Sequence, residues 1–444
     1  MTRFEPADVR SWGNVLQAEH NAAFPAWRDQ LARIVLSGRQ EGRALLATGL
    51  RRSYGDSGLN PEGGLIDMTG LDRIIDFDRE CRLVRVEAGL SFDTLLGVIV
   101  RQGFFLPVTP GTRFVTMGGA VANDVHGKNH HINGTIGRWV RRIGLMRSNG
   151  EELELTLESD PQLFSATIGG LGLTGAITWV ELEVLPIESA VMDAENIPFD
   201  NLDMFFSLAA ESDNAFDYTV SWIDCLAKGA SLGRGIFTRG NHAKTGSRLP
   251  GRGNTKFTMP LSLPRLCMNR YSISAFNSLY FWNGKRKAGR QNIPIYQFFY
   301  PLDSIGRWNR MYGSKGMYQF QSVVPPAVEK DATKEMLKTI SASGQGSFLA
   351  VLKTFGAISS PGMLSFPRPG TTLALDFPNH GETTLRLMAR LDDIVLEAGG
   401  RLYPAKDGRM PARMFKAGYP AWQDFAKYVD SGFSSHFWKR VSQE

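Results

Sequence analysis

Residues 110–137 read PGTRFVTMGGAVANDVHGKNHHINGTIG, and His126, Lys128, His130 and His131 crowd into six positions of that stretch. Imidazole titrates near neutrality and is the commonest general base, so such a cluster suits proton transfer beside a polyanionic ligand. The residues just before it are of another kind. Gly118, Gly119 and Ala120 carry little side chain, and glycine lets backbone N–H groups approach phosphate oxygens with no Cβ in the way. With little apolar area to bury, the strip reads as the wall of a site for a pyrophosphate-bearing dinucleotide. His126 is the choice for a general base, and Lys128 for a contact to substrate or cofactor. A metal bound by His126, His130 and His131 would lack the cysteines or paired carboxylates that usually complete such a set, so none is expected.

Other residues could share the chemistry. LLATGLRRSYGD at 45–56 reads as a strand entering a Gly/Ser turn, with Arg51 and Arg52 suited to the far side of a phosphate clamp or to a plain surface turn. Lys353 and Phe355 alternate on one strand and so face the same way; an anionic or hydroxyl-rich head beside an apolar wall would fit them. Gln321 is a polar residue in a strand rich in Phe and Val. Lys406 follows GGRLYPA, again a ligand-like mixture.

These residues must be positioned by short elements. Strand patterns occur at 65–68, 82–87, 152–158 and 176–184. A helix capped by Ser91 carries Phe92, Leu95, Leu96, Ile99 and Val100 at helical spacing and stops at Gly103. Ser159 or Asp160 can cap a short helix, and 169–175 is a second glycine-rich turn. After Pro186 strand candidates recur at 217–225, 319–324, 346–355 and 371–377, with helices around 328–343 and 383–398. The stretches 239–256 and 283–292 contain no acidic residue and read as basic loops. Aromatic residues at 415, 419, 422, 425 and 437 suggest a C-terminal helix packed back on a domain. No GxGxxG follows a strand, so a nicotinamide-type Rossmann domain is not expected.

At 444 residues two domains are the default, and a net charge of +6 is mild. No basic motif with interleaved aromatics points to nucleic acid. Cys81, Cys225 and Cys267 are odd in number and far apart, which suggests neither a disulfide frame nor a thiolate zinc site. The first residues lack the apolar core of a signal peptide, and no run of about 20 apolar residues occurs. The expected location is the cytoplasm or the inner face of the plasma membrane, with peripheral contact through the basic loops.

Taken together, HGKNHH behind PGTRFVTMGGA, RSYGD at 52–56, FYPLD at 299–303, LKTFG at 352–356 and LYPAKD at 402–407 resemble the decaprenylphosphoryl-β-D-ribose 2′-oxidase family of the vanillyl-alcohol-oxidase class. The likeness covers nearly the whole chain. It implies an α+β protein of two domains: a PCMH-type FAD-binding domain over 1–188 to which 400–444 returns, and a mostly antiparallel sheet domain flanked by helices over 189–399. It implies oxidation of the 2′-hydroxyl of a polyprenyl-phosphate-linked pentose by hydride transfer to flavin N5, the first half of an epimerisation. A separate NAD-dependent reductase would complete it, with quinone or O2 as electron acceptor. An oxidase of a soluble alditol or aldonolactone is the alternative.

By matching position, cofactor contacts would be Gly49, Arg51, Arg52, Ser53, Tyr54, Gly55, Asp56, Ser57, Gly111, Thr116, Met117, Gly118, Gly119, Asn123, Asp124, Val125, His126, Ile177 and Tyr403. Substrate contacts would be Lys128, Gln321, Lys353, Phe355 and Lys406. Lys406, with His126, Lys128 and Tyr54, would be catalytic, its charge near flavin N1–C2=O. The chain departs from the family at Arg51, where a glycine is usual, at Thr372-Leu-Ala374 in place of Asn-x-Cys, and at Phe299 in place of Tyr. Arg52 stands where related enzymes attach FAD to a histidine, so the FAD is expected to be non-covalent.

Overall fold

A computed structural model describes residues 4–249, 255–264 and 268–443. The protein is α+β, with helices set against largely antiparallel sheets. The N-terminal part holds two sheets. In the first, Glu5–Arg10, Gln17–Ala23, Gly64–Asp67 and Leu45–Thr48 lie side by side in that order, with the last two joined in parallel. In the second, Ala176–Glu183 is the central strand, flanked by Leu83–Glu87 and Val140–Met146. Val180 and Leu182 of that strand are fully buried, while Glu181 on the other face takes Arg142 and Arg85. The helix Phe92–Ile99 covers this core. Ser91 caps it by accepting from the Thr94 amide, and Gly103 at φ 86° ends the following turn.

The remainder is built on an eight-stranded antiparallel sheet in the order Gly289–Pro294, Val191–Phe199, Gly235–His242, Tyr218–Ile223, Ala350–Phe355, Gly370–Pro378, Met317–Val324, Arg401–Leu402. Helices Leu202–Ser212, Glu329–Ser343 and Glu382–Glu397 bury Phe205, Met336, Leu337, Met388 and Leu391 against it in a second core. The last residues touch both cores. Phe433 joins the first, whereas Phe415, Phe425 and Phe437 join the second.

Three expectations are corrected. The basic stretches 239–256 and 283–292 are not wholly loops: 239–242 completes a strand, 283–286 completes the helix Arg270–Arg286, and Gly289–Pro294 is an edge strand. Pairing with Val191–Phe199 satisfies the backbones of 239–242 and 289–294 whatever their composition, and charged side chains are common on edges. The C-terminal aromatics belong to three short helices, Ala412–Gly418, Trp422–Ala426 and His436–Ser442, not to one. The strip 110–137 also contributes to the core, through the short helix Met117–Ala122, whose Met117 and Val121 are fully buried.

Candidate active site

Three distant loops are locked together to form one wall. The strand Leu45–Thr48 ends at Gly49, where a Cβ would lie 2.0 Å from Thr116 Oγ1, and Thr116 caps the helix Met117–Ala122. Arg51, standing where glycine is usual, adopts the left-handed φ of 52° that glycine would take and pairs with Asp67. The Arg52 guanidinium lies 3.9 Å over the Trp12 ring and donates from Nε to the Phe114 carbonyl at 3.1 Å. Tyr54 N donates to the Ala405 carbonyl at 3.0 Å, and a Cβ on Gly55 would meet the Asp407 carbonyl oxygen at 2.0 Å. The C-terminal LYPAKD turn is thus pressed against RSYGD by backbone alone.

These loops face a cavity of about 1440 Å³ that runs on to the eight-stranded sheet. A single small-molecule site usually measures about 300–1,000 Å³, so there is room here for a dinucleotide and a second molecule. Along the loop-built end, Thr48 Oγ1, Arg51 Nε, Ser57 Oγ, Asn123 Oδ1 and His126 Nδ1 are buried on lining residues and have no partner within the protein. Buried polar atoms rarely stay unpaired, so donors and acceptors set out this way fit FAD, with its phosphates, ribitol and ring heteroatoms.

At the sheet end three lysines meet. Lys128 donates to the Phe298 carbonyl and sits 4.5 Å from that ring's centroid; Lys353 donates to the Gly127 carbonyl at 2.8 Å. Burial pushes Lys128 down to about 7, and burial, with the charges of Lys128 and Lys406 adding to it, pushes Lys353 down to about 7 as well. Lys406 lies 4.2 Å from the Tyr54 ring centroid. Burial favours its neutral form and Asp376 opposes this; Asp376 itself is raised by burial and held down by Lys406 and by Gln319, which donates to it at 2.7 Å. His126 is boxed by Phe355, Phe366 and Tyr403, and its Nε2 accepts from the Gln321 amide at 3.1 Å. Burial, then the Lys353 charge, holds this imidazole well below its ordinary value, so it is neutral.

Of the sequence-expected residues, Gly49, Arg51, Arg52, Ser53, Tyr54, Gly55, Ser57, Gly111, Thr116, Gly118, Gly119, Asn123, Val125, His126, Lys128, Ile177, Gln321, Lys353, Tyr403 and Lys406 line the cavity. Four do not. Asp56 is turned away to Arg440, which grips both its oxygens at 2.7 and 2.9 Å. Met117 is in the core. Asp124 accepts from Gly137 N, Ser360 and Ser365 and holds the strip in shape. Phe355 packs on His126 and His130 instead of facing the cavity. His131 turns to the Phe216 carbonyl at 2.8 Å, away from His126. Sequence reasoning missed Asp376 and Gln319. The signal was present in Asp376, a lone carboxylate in the apolar strand TTLALDFP that shares a face with Thr372 and Ala374.

Comparisons agree with this chemistry. Residues 21–156 match the family model of an FAD-binding domain. The chain is 39% identical to decaprenylphosphoryl-β-D-ribose oxidase of Mycolicibacterium smegmatis, over 95% of this chain and 94% of that protein. It is 28% identical to an uncharacterised Streptomyces coelicolor protein over 76% of this chain and 94% of the relative. The mouse L-gulonolactone oxidase is 27% identical over 39% of this chain and 40% of its own length. A cavity that fits FAD, a matching FAD-binding domain and likeness along almost the full length together place this chain in the decaprenylphosphoryl-β-D-ribose oxidase family of FAD-linked oxidoreductases.

Proposed function

We propose that this enzyme oxidises the 2′-hydroxyl of a pentose carried on a polyprenyl phosphate, the first half of an epimerisation that a separate NAD-dependent reductase completes. The observation that carries the reading is the pairing of chemistries around the sheet end of the cavity. Lys128, Lys353 and Lys406 bring amine donors to one wall, with Lys128 and Lys353 poised near 7 to hold or take up a proton, while Trp222, Met268, Ile273, Phe276, Trp308 and Phe348 line the cavity with apolar surface. A phosphate head and a prenyl tail need both.

FAD, when bound, supplies the two-electron acceptor. Residues 1–188 with part of 400–444 would hold it, through Gly49–Gly55, Ser57, Gly111, Thr116, Gly118, Gly119, Asn123, Val125, Ile177 and Tyr403, and residues 189–399 would hold the substrate. No histidine stands in the RRSYGD turn, where Arg52 is stacked on Trp12, so the cofactor is held without a covalent bond. Lys406 places fixed positive charge in a site shielded from water, where electron uptake by the cofactor is stabilised. A neutral lysine with a value near 7 is matched to removing a hydroxyl proton at physiological pH. Lys128 and Lys353 meet that condition, and their bonds to the Phe298 and Gly127 carbonyls orient them. His126, neutral and boxed by aromatic rings, positions Gln321 toward the substrate and does not itself take the proton. Electrons then pass to a quinone or to O2.

The soluble-lactone alternative gains no support, because likeness to L-gulonolactone oxidase covers 39% of the chain whereas the lysine-bearing positions extend to residue 406. Anaerobic mixing decides between the two. Polyprenylphosphoryl ribose is expected to bleach the flavin at once. Bleaching by alditols or aldonolactones instead would overturn the reading.

A further inference from the structure

The helix Arg270–Arg286 is anchored by a narrow stripe. Ile273, Asn277 and Phe281 are its buried residues, and Gly284 brings it close enough to the sheet that a Cβ there would lie 2.5 Å from Ile236. Its next face, through Ile273, Phe276 and Tyr280, lines the cavity. Among the described residues, its opposite face carries exposed side chains. Tyr271, Leu279 and Trp282 are 75%, 64% and 55% exposed. Together with Ala275 they follow the spacing 271, 275, 279, 282 of one helical stripe, which continues into Arg286. The segment 255–264 lays Leu263 against the cavity while leaving Phe257 and Leu261 exposed. Two segments that line the cavity therefore also expose apolar side chains on their outer faces.

The segment that carries them is basic, although Lys285 and Arg290 are paired with Asp200 and Asp193 from outside it. From Cys225 to Leu302 the chain contains 13 Lys and Arg and no Asp or Glu. Arg286 lies 4.8 Å over the Trp282 ring and Arg270 5.3 Å over the Tyr271 ring. Among the described residues neither these arginines nor Lys287 has a carboxylate partner. An aromatic-aliphatic stripe flanked by unpaired cations is the make-up of a helix lying in a lipid headgroup layer, where each cation is attracted to anionic lipid.

We propose that this face of helix Arg270–Arg286, with the adjoining segment 255–264, docks on an anionic bilayer, so that the cavity mouth opens onto the membrane. The purpose rests on the lipid-linked substrate proposed above; the docking itself is read without any substrate. Holoenzyme is mixed with vesicles of phosphatidylcholine, with or without phosphatidylglycerol, and centrifuged. The protein is expected to pellet with the phosphatidylglycerol vesicles and to stay in solution with phosphatidylcholine alone. The double variant Leu279→Ser, Trp282→Ser, whose sites lie off the cavity, is expected to keep its flavin and to bind roughly tenfold or more weakly. No vesicle binding by the unaltered enzyme, equal binding to both lipids, or undiminished binding by the variant overturns the proposal. So does a dimer that the variant converts to monomer without vesicle binding, which would make a second copy the occupant. If the enzyme binds vesicles but no prenylphosphoryl sugar reduces its flavin, the substrate reading fails and the docking stands.

Discussion

Replacing Asp376 with asparagine keeps the shape of the strand Gly370–Pro378 but removes the negative charge that faces Lys406. Burial already draws Lys406 below the ordinary lysine value of 10.5, and Asp376 is the opposing influence. An opposite charge near a buried group is worth about 1–3 pKa units, at about 1.4 kcal/mol each. Lys406 is cationic below its folded value and loses its charge as the pH rises through it. In the variant that loss moves to lower pH by about 1–3 units. Between the two limbs the cationic fraction falls about 10- to 1,000-fold, and the rate should follow until it reaches the loss of about 100- to 1,000-fold typical of removing one charge-stabilising group. The assay is anaerobic stopped-flow reduction of the flavin by prenylphosphoryl ribose across pH, with flavin content checked beforehand. The alkaline limb should shift to lower pH while the rate on its acid side stays near that of the unaltered enzyme. An unmoved limb, or a rate reduced equally at every pH, would refute the coupling of Asp376 to Lys406.

Lys406→Ala should retain FAD but reduce its substrate-driven reduction about 100-fold or more, measured in the same instrument. Lys353→Met and Lys128→Met should each slow flavin reduction about 10-fold or more by weakening the head-group grip and removing a base matched to neutral pH; a variant pair that leaves the acid limb near pH 7 in place would exclude both lysines as its source. Acid precipitation should release all the flavin into the supernatant, and flavin retained on denatured protein would refute non-covalent binding. Arg440→Met leaves Asp56 buried and without its two-pronged partner, so chemical denaturation should show a loss of about 3–5 kcal/mol, softened if His436, 3.6 Å from Asp56, takes over part of the contact.

How far the site could be read from sequence depended on whether local chemistry or long-range packing set each residue's role. Gly49, Gly55 and Gly118 announced close backbone approach because glycine is the residue that permits it, and Ser91 and Gly103 marked both ends of a helix by capping chemistry that acts over a few residues. Asp56, Asp124 and Phe355 belong to motifs that line the cavity, yet each is turned from it by a partner far along the chain: Arg440 for Asp56, Ser360 and Ser365 for Asp124, and His126 with His130 for Phe355. The helix Arg270–Arg286 escaped notice because a helix with a narrow buried stripe and aromatic residues on its outer face lacks the polar-outside periodicity that marks a surface helix.

The chain itself, through residue types and spacing, determined that a glycine-rich wall, a cluster of titratable groups and alternating strands were present, since these follow from local sterics and side-chain chemistry. Only the tertiary structure decided which charges meet. Lys128, Lys353, Asp376 and Lys406 are separated by up to 278 positions in sequence and share one cavity because the sheet and the C-terminal turn converge there. Their burial together, and not their identity, brings Lys128 and Lys353 to about 7 and sets Asp376 opposite Lys406: the cost of removing charge from water, and the neighbours that offset it, exist only once the chain is folded.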